Sequence, residues 1–323
     1  MWREVVFLVA LAGASALADD PLTFPELARG RANTRIVSGW EAKEGQLPHQ
    51  LSLRMVSAQG QVFSCGASII HNEWALTAAH CTAQRVTIII RAGTVNMTRP
   101  GTIFETTEYM NHPLYDESQA GRVQPNDVGL IKFNRRLEFN ERIQPIRIQR
   151  SVDKDNDYDG DRMTASGWGR VWTNGAAPEN LNWVFLRGVT NFFCWWSFGG
   201  SSIIQPSTIC ASGYNDTTQS TCQGDSGGPL TVIDADGKPT LVGVTSFVSA
   251  MGCHADLPAG FCRGGYYHDW YQEVTGINFD WDFDEPTEKP EEPESPEEPE
   301  GTEDPEETHP TEGPGEATPN FAY

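Results

Sequence analysis

From Ile36 to about Gly276 the chain alternates short apolar runs with polar breaks. Runs rich in Val, Ile, Leu and Phe fall at Gln50–Met55, Arg85–Ala92, Val128–Phe133, Met163–Trp168 and Thr240–Phe247. Clusters of Gly, Asn, Asp and Pro separate them. Short runs of branched and aromatic residues between such boundaries predict strands. Strands repeated at this spacing predict an all-β sandwich or barrel. One segment has helical spacing instead: Tyr266–Thr275, with Trp270, Tyr271 and Val274 on one side. No self-similarity appears at solenoid periods.

The two ends read differently. Arg3 precedes an apolar run, Val5–Leu17, and Ala16-Leu17-Ala18 gives a small-x-small pattern just before Asp19. That order predicts a signal peptide over residues 1–18 and a secreted, extracellular product. The run is short for a bilayer span, and no other stretch is long and apolar enough. No membrane partner is expected. Asp19–Arg35 is a short polar segment that ends in basic residues.

Charge changes the picture only at the far end. The formal net charge is −21, and Glu285–Tyr323 holds fourteen acidic residues against one lysine. Pro, Glu, Thr and Gly dominate there, with almost nothing to bury, so residues 281–323 read as a disordered acidic tail. A solvated, self-repelling extension is favoured over an arm for a basic partner. Nothing basic clusters into a footprint for nucleic acid.

Seven cysteines are present: Cys65, Cys81, Cys194, Cys210, Cys222, Cys253 and Cys262. In an oxidising compartment most should pair, and an odd number leaves one over. Their spacings show no zinc-type double pairs, so no metal site and no cofactor is expected.

Three motifs carry chemistry. Gly224-Asp225-Ser226-Gly227-Gly228-Pro229 follows Cys222. Glycines around a serine let the backbone turn tightly and bring N–H groups to one point. The N–H groups of Gly224 and Ser226 can then form an oxyanion hole for acyl transfer at Ser226. A glycine-rich turn with a serine is commonly structural; the full hexapeptide is far more specific. Leu76-Thr77-Ala78-Ala79-His80-Cys81 sets a histidine in a small-residue run beside a cysteine, with Cys65 upstream. Asn126-Asp127-Val128-Gly129-Leu130-Ile131 sets an acid ahead of an apolar strand. A lone His or Asp is more often structural, but between them these motifs supply a base and a residue to orient it.

In that order, with their surrounding motifs and with Gly167-Trp168-Gly169 between the second and third, His80, Asp127 and Ser226 resemble the triad of the chymotrypsin–trypsin family of serine proteases. Within it, the chain is similar to insect and crustacean digestive enzymes of the chymotrypsin, elastase and collagenolytic type. The resemblance runs from Ile36 to about Gly276 and implies a protease domain over residues 36–280. It implies two six-stranded antiparallel β-barrels with the active site between them, and a C-terminal helix. It implies a serine endopeptidase that hydrolyses peptide bonds through an acyl-enzyme. Its partners would be a protein or peptide substrate and a trypsin-like activating protease, and the chain would act as a monomer.

Further expectations rest on the same resemblance. Cleavage after Arg35 would remove residues 19–35 as an activation propeptide, and the new Ile36 terminus would pair with Asp225 to order the site. Ser38 stands where the family usually has Gly. The implied disulfides are Cys65–Cys81, Cys194–Cys210 and Cys222–Cys253, which leaves Cys262 in a strand beside the specificity pocket, read as a buried inert thiol. Ser220 would form the pocket floor. Lacking a carboxylate, it argues against Arg or Lys before the scissile bond. Ser246-Phe247-Val248 would form one wall and Ala259 the other, with Val248 narrowing the slot. Small or medium aliphatic residues are the first choice there, then Leu, Phe or Tyr.

Two segments depart from the family: the aromatic stretch Asn191–Gly200, with Trp195 and Trp196, and Cys262-Arg263-Gly264-Gly265. Asn96-Met97-Thr98 and Asn215-Asp216-Thr217 match the N-glycosylation pattern. The competing reading is a catalytically weak protease-fold protein that binds or defends; an intact triad argues against it.

Overall fold

The computed structural model describes residues 22–24, 39–99, 101–170, 176–214, 219–253 and 255–283. The signal-peptide run, Arg35, Ile36, Asn215 and the acidic tail from residue 284 onward lie outside the described residues.

The apolar runs form strands, and their alternation sets which face is buried. Two short strands come first, β1 (Leu22–Thr23) and β2 (Trp40–Glu41). The next seven are β3 (Gln50–Ser57), β4 (Val62–His71), β5 (Trp74–Thr77), β6 (Arg85–Ala92), β7 (Thr102–Thr106), β8 (Tyr109–Asn111) and β9 (Gly129–Lys132). They make one antiparallel sheet in the order β7-β6-β3-β4-β5-β9-β8. In β6, Ile88, Ile90 and Ala92 are buried while Ile89 between them faces out, as a period of two requires. Leu51, Leu53, Ile69, Leu76 and Leu130 complete that interior.

The second half contains β10 (Arg147–Ile148), β11 (Arg162–Gly167), β12 (Asn182–Val189), β13 (Thr208–Gly213), β14 (Pro229–Ile233), β15 (Pro239–Ser249) and β16 (Ala259–Arg263). Strand β15 pairs with both β14 and β16, so β15-β14-β11-β12-β13-β16 closes on itself as a six-stranded barrel. Met163, Leu186, Ile209, Leu230 and Phe261 fill it. Three short strands are added at its edges. β2 pairs with β12, β1 pairs with the end of β15, and β10 pairs with β15 in parallel.

The two sheets touch closely at one point. A Cβ on Gly66 would lie 2.9 Å from the Cα of Gly228, so only glycine permits the approach. Nearby, the Ser166 hydroxyl donates to Gln50 Oε1 at 2.7 Å across the same seam.

Among the described residues the α-helices are short: α1 (Ala79–Thr82), α2 (Asn191–Ser197) and α3 (His268–Thr275). The segment read as helical over Tyr266–Thr275 starts as a 3-10 turn at Gly264–Tyr267 and becomes α-helical at His268. Trp270 and Tyr271 pack into the first core, and Gly276 ends α3 at φ 72°. Beyond it, Trp281 stacks on Arg147 and donates its indole N–H to the Ile148 carbonyl at 2.7 Å.

Candidate active site

His80 sits in α1, one turn after β5. Cys81 beside it is bridged to Cys65 in β4, with Cα atoms 6.2 Å apart. The bridge anchors the turn that carries the imidazole. Asp127 enters from the turn before β9, where Asn126 takes φ 59°. Asparagine tolerates that left-handed region better than most residues. One Asp127 oxygen accepts the backbone N–H of His80 at 2.8 Å, and the other lies 2.7 Å from His80 Nδ1. That second oxygen also accepts the Ser246 hydroxyl at 2.6 Å. Asp127 is fully buried, and a buried carboxylate is tolerable only with such donors around it.

Ser226 lies in a loop held from both sides. Behind it, the Asp225 carboxylate accepts the N–H of Gly169 at 2.8 Å and of Cys222 at 2.9 Å. A Cβ on Gly167 or Gly169 would collide with that carboxylate, which is why both flank Trp168. In front, the Ser226 carbonyl accepts the Gly66 N–H at 2.7 Å, and Thr77 Oγ1 donates to the Gly66 carbonyl at 2.8 Å. Ser226 is thereby clamped to the middle of β4, which Thr77 ties to the end of β5, next to the turn that carries His80. Gly224 takes φ 101°, a conformation open to glycine. The Ser226 hydroxyl is buried and makes no hydrogen bond among the described residues.

The other residues singled out in the sequence fall as follows. Val248 and Ala259 are buried in one apolar cluster with Cys222 and Cys253, while Ser220 is half-buried beside them in sequence. Ser246 lies in the same strand as Val248, but its hydroxyl turns to Asp127. From the sequence Ser246 is expected in a pocket wall; its bond to Asp127 is not readable there, because nothing local marks a serine in an apolar strand as an aspartate's partner. Cys194–Cys210 and Cys222–Cys253 are bridged, with Cα separations of 6.3 and 5.2 Å. Asn96 donates its amide to Asn180 Oδ1 at 2.7 Å and accepts from the Thr98 N–H.

Cys262 is buried and unbridged in β16. Its side chain belongs to the first core rather than to the cluster around Val248. Burial, reinforced by the neighbouring Asp127 charge, pushes its thiol pKa well up. Cys65, His80 and Cys81 bring one nitrogen and two sulfurs together, but both sulfurs are spent in a disulfide and offer no thiolate to a metal.

The aromatic departure forms α2. Thr190 caps it by accepting the Phe193 N–H at 3.0 Å. Phe192, Phe193, Trp195 and Trp196 face outward, while Phe198 turns in against Phe247. The second departure buries Arg263, whose guanidinium donates to the Asn156 carbonyl at 2.8 Å and lies over Tyr158.

The chain is similar to known proteins over most of its length. The Trypsin family profile matches residues 36–271. A collagenase of Hypoderma lineatum is 34% identical over 85% of this chain and 98% of its own length. Chymotrypsin-like elastase family member 1 of Rattus norvegicus is 32% identical over 78% of this chain and 91% of its own. Serine protease 1 of Drosophila melanogaster is 34% identical over 76% and 87%. A solved HL collagenase structure superposes with TM-score 0.66 at 33% identity, covering 75% of this chain and 99% of that one. Among the described residues no helix is long and apolar enough to cross a membrane.

Proposed function

The chain belongs to the trypsin family and is a serine endopeptidase, and from that premise we propose that His80, Asp127 and Ser226 are its catalytic triad. The observation that carries this is the double grip of Asp127 on His80, through the backbone N–H and the ring. A carboxylate only accepts, so the ring proton belongs on Nδ1 and Nε2 is left as the base.

The steps follow from that tautomer. Ser226 Oγ bonds to the scissile carbonyl carbon as its proton passes to His80 Nε2. The carbonyl π pair moves onto oxygen, and the N–H groups of Gly224 and Ser226 receive it. Among the described residues no backbone carbonyl takes up those two N–H groups. Collapse breaks the C–N bond, and the departing amine takes the proton from Nε2. Water then repeats the sequence and frees the acid. Asp127 holds the transient imidazolium, and Ser246 holds Asp127.

Cleavage after Arg35 frees Ile36, whose ammonium pairs with Asp225 and orders the Gly224–Ser226 loop. The protease domain spans residues 36–280, made behind a signal peptide and secreted as a monomer. Val248 packs beside Ala259 and the Cys222–Cys253 bridge, which supports a narrowed apolar pocket. Ser220 on its floor lacks the charge to take Arg or Lys. We therefore assign a preference for small or medium aliphatic residues before the scissile bond.

The test is turnover of a peptide panel after controlled cleavage at Arg35. Preference for Ala, Val or Leu, lost in Ser226→Ala, supports the reading. An aromatic preference overturns the role of Val248. No turnover despite a clean Ile36 terminus overturns the triad and leaves a binding protein.

A further inference from the structure

A short piece of the N-terminal segment lies in the candidate active site. Leu22–Thr23 pairs antiparallel with the end of β15, with Leu22 opposite Ser249 and Thr23 opposite Val248. Phe24 then stacks on the His80 ring, with centroids 3.9 Å apart and planes 17° from parallel. Leu22 and Phe24 are each only 3% exposed. They share an apolar cluster with Val123, Phe198 and Phe247. With the segment in place, Ser226 is wholly buried and His80 is 6% exposed.

The sequence suits that position. Leu22 and Phe24 are two residues apart, so an extended chain turns both to the same face. The unpaired end of a strand such as Val248–Ser249 offers N–H and C=O groups to any passing peptide. Pro25 comes next, and having no N–H it cannot add a donor to the ladder. Residues 19–35 contain no cysteine, so nothing covalent retains them once the chain is cut after Arg35.

We propose that the edge of Val248–Ser249, with the apolar cup of Phe198, Phe247 and the His80 face, is a peptide-docking surface whose resident occupant is the chain's own Leu22–Phe24. The segment holds the precursor's catalytic cleft closed, and cutting at Arg35 turns a tethered occupant into a dissociable one. The inhibition rests on the protease reading above, but the docking does not.

Two measurements separate them. The first is hydrogen exchange of the full precursor carrying Ser226→Ala, compared with the same protein carrying Phe24→Ala as well. The expected result is at least tenfold faster exchange at the Phe247–Ser249 amides in the double variant, with the core strands unchanged. Equal exchange overturns the docking whether or not the protein is a protease. The second adds a synthetic peptide of residues 19–35 to the cleaved, desalted enzyme. Competitive inhibition, raising KM with kcat unchanged and weakened at least tenfold by Phe24→Ala in the peptide, supports the closed cleft. No inhibition of an active enzyme overturns it. An enzyme without turnover is a failure of the protease reading, and the exchange result then still decides the docking.

Discussion

Ser246 and Asp127 meet at 2.6 Å, on the same carboxylate oxygen that takes the His80 ring. The hydroxyl therefore steadies the carboxylate that holds His80, from the strand that also carries Val248. A hydrogen bond to a charged group contributes about 1.5–3 kcal/mol. Ser246→Ala is expected to lower kcat/KM by roughly 10- to 100-fold. KM should move little, since Ser246 holds the triad rather than the peptide. Steady-state kinetics on one good substrate checks this.

His49 gives stability a pH dependence. It is buried, its Nε2 has no hydrogen-bond partner among the described residues, and burial lowers its pKa to about 4. The unfolded chain binds this proton at a pKa near 6.5. Between those values the unfolded state holds more protons, so stability rises with pH through the window and falls on acidification from about 6.5 to about 4. The contribution at stake is about 3 kcal/mol. Thermal unfolding from pH 7 to pH 4 should show the loss, and His49→Leu should flatten that part of the curve.

Cys262 should be inert. Its thiol pKa is raised by burial and by the nearby Asp127 charge. At pH 8 the native protein is expected to give no reaction with Ellman's reagent, and the denatured protein one thiol. A fast-reacting native thiol would contradict the buried placement, and a disulfide-linked dimer on a non-reducing gel would contradict the free state.

Val248 sets the pocket's depth if its cluster with Ala259 and the Cys222–Cys253 bridge forms the wall. Val248→Gly should raise kcat/KM for Phe over Ala before the scissile bond by at least about tenfold, since each methylene in such a pocket contributes about 1–3 kcal/mol. An unchanged ratio would remove Val248 from the pocket.

Much of the fold was legible because the information is local. The alternation in Arg85–Ala92 appears as β6 with those bounds, and the run at Thr240–Phe247 appears as β15, longer by a residue or two at each end. The motifs around His80, Asp127 and Ser226 stand out in the sequence because each is a short run with its own internal logic: Cys81 beside His80, Gly224 and Gly228 around Ser226. What escaped notice is non-local. Ser246 and Asp127 are 119 positions apart, and no feature of either run foretells the contact. Leu22–Phe24 reads as part of a polar leader; only the folded edge of β15 makes it a strand. The aromatic stretch at Asn191–Gly200 resisted assignment because its exposed rings give no single buried face, whereas the Thr190 cap starts the helix.

In the proposed chemistry one serine is made nucleophilic by one histidine. The direct measurement is intact mass after treating the Arg35-cleaved protein with a fluorophosphonate. One adduct, mapped to Ser226, absent in Ser226→Ala and strongly slowed in His80→Ala, together with loss of turnover in step with labelling, is the predicted result. A protein that carries a clean Ile36 terminus and takes no label, or takes it at another residue, would contradict the assignment of Ser226.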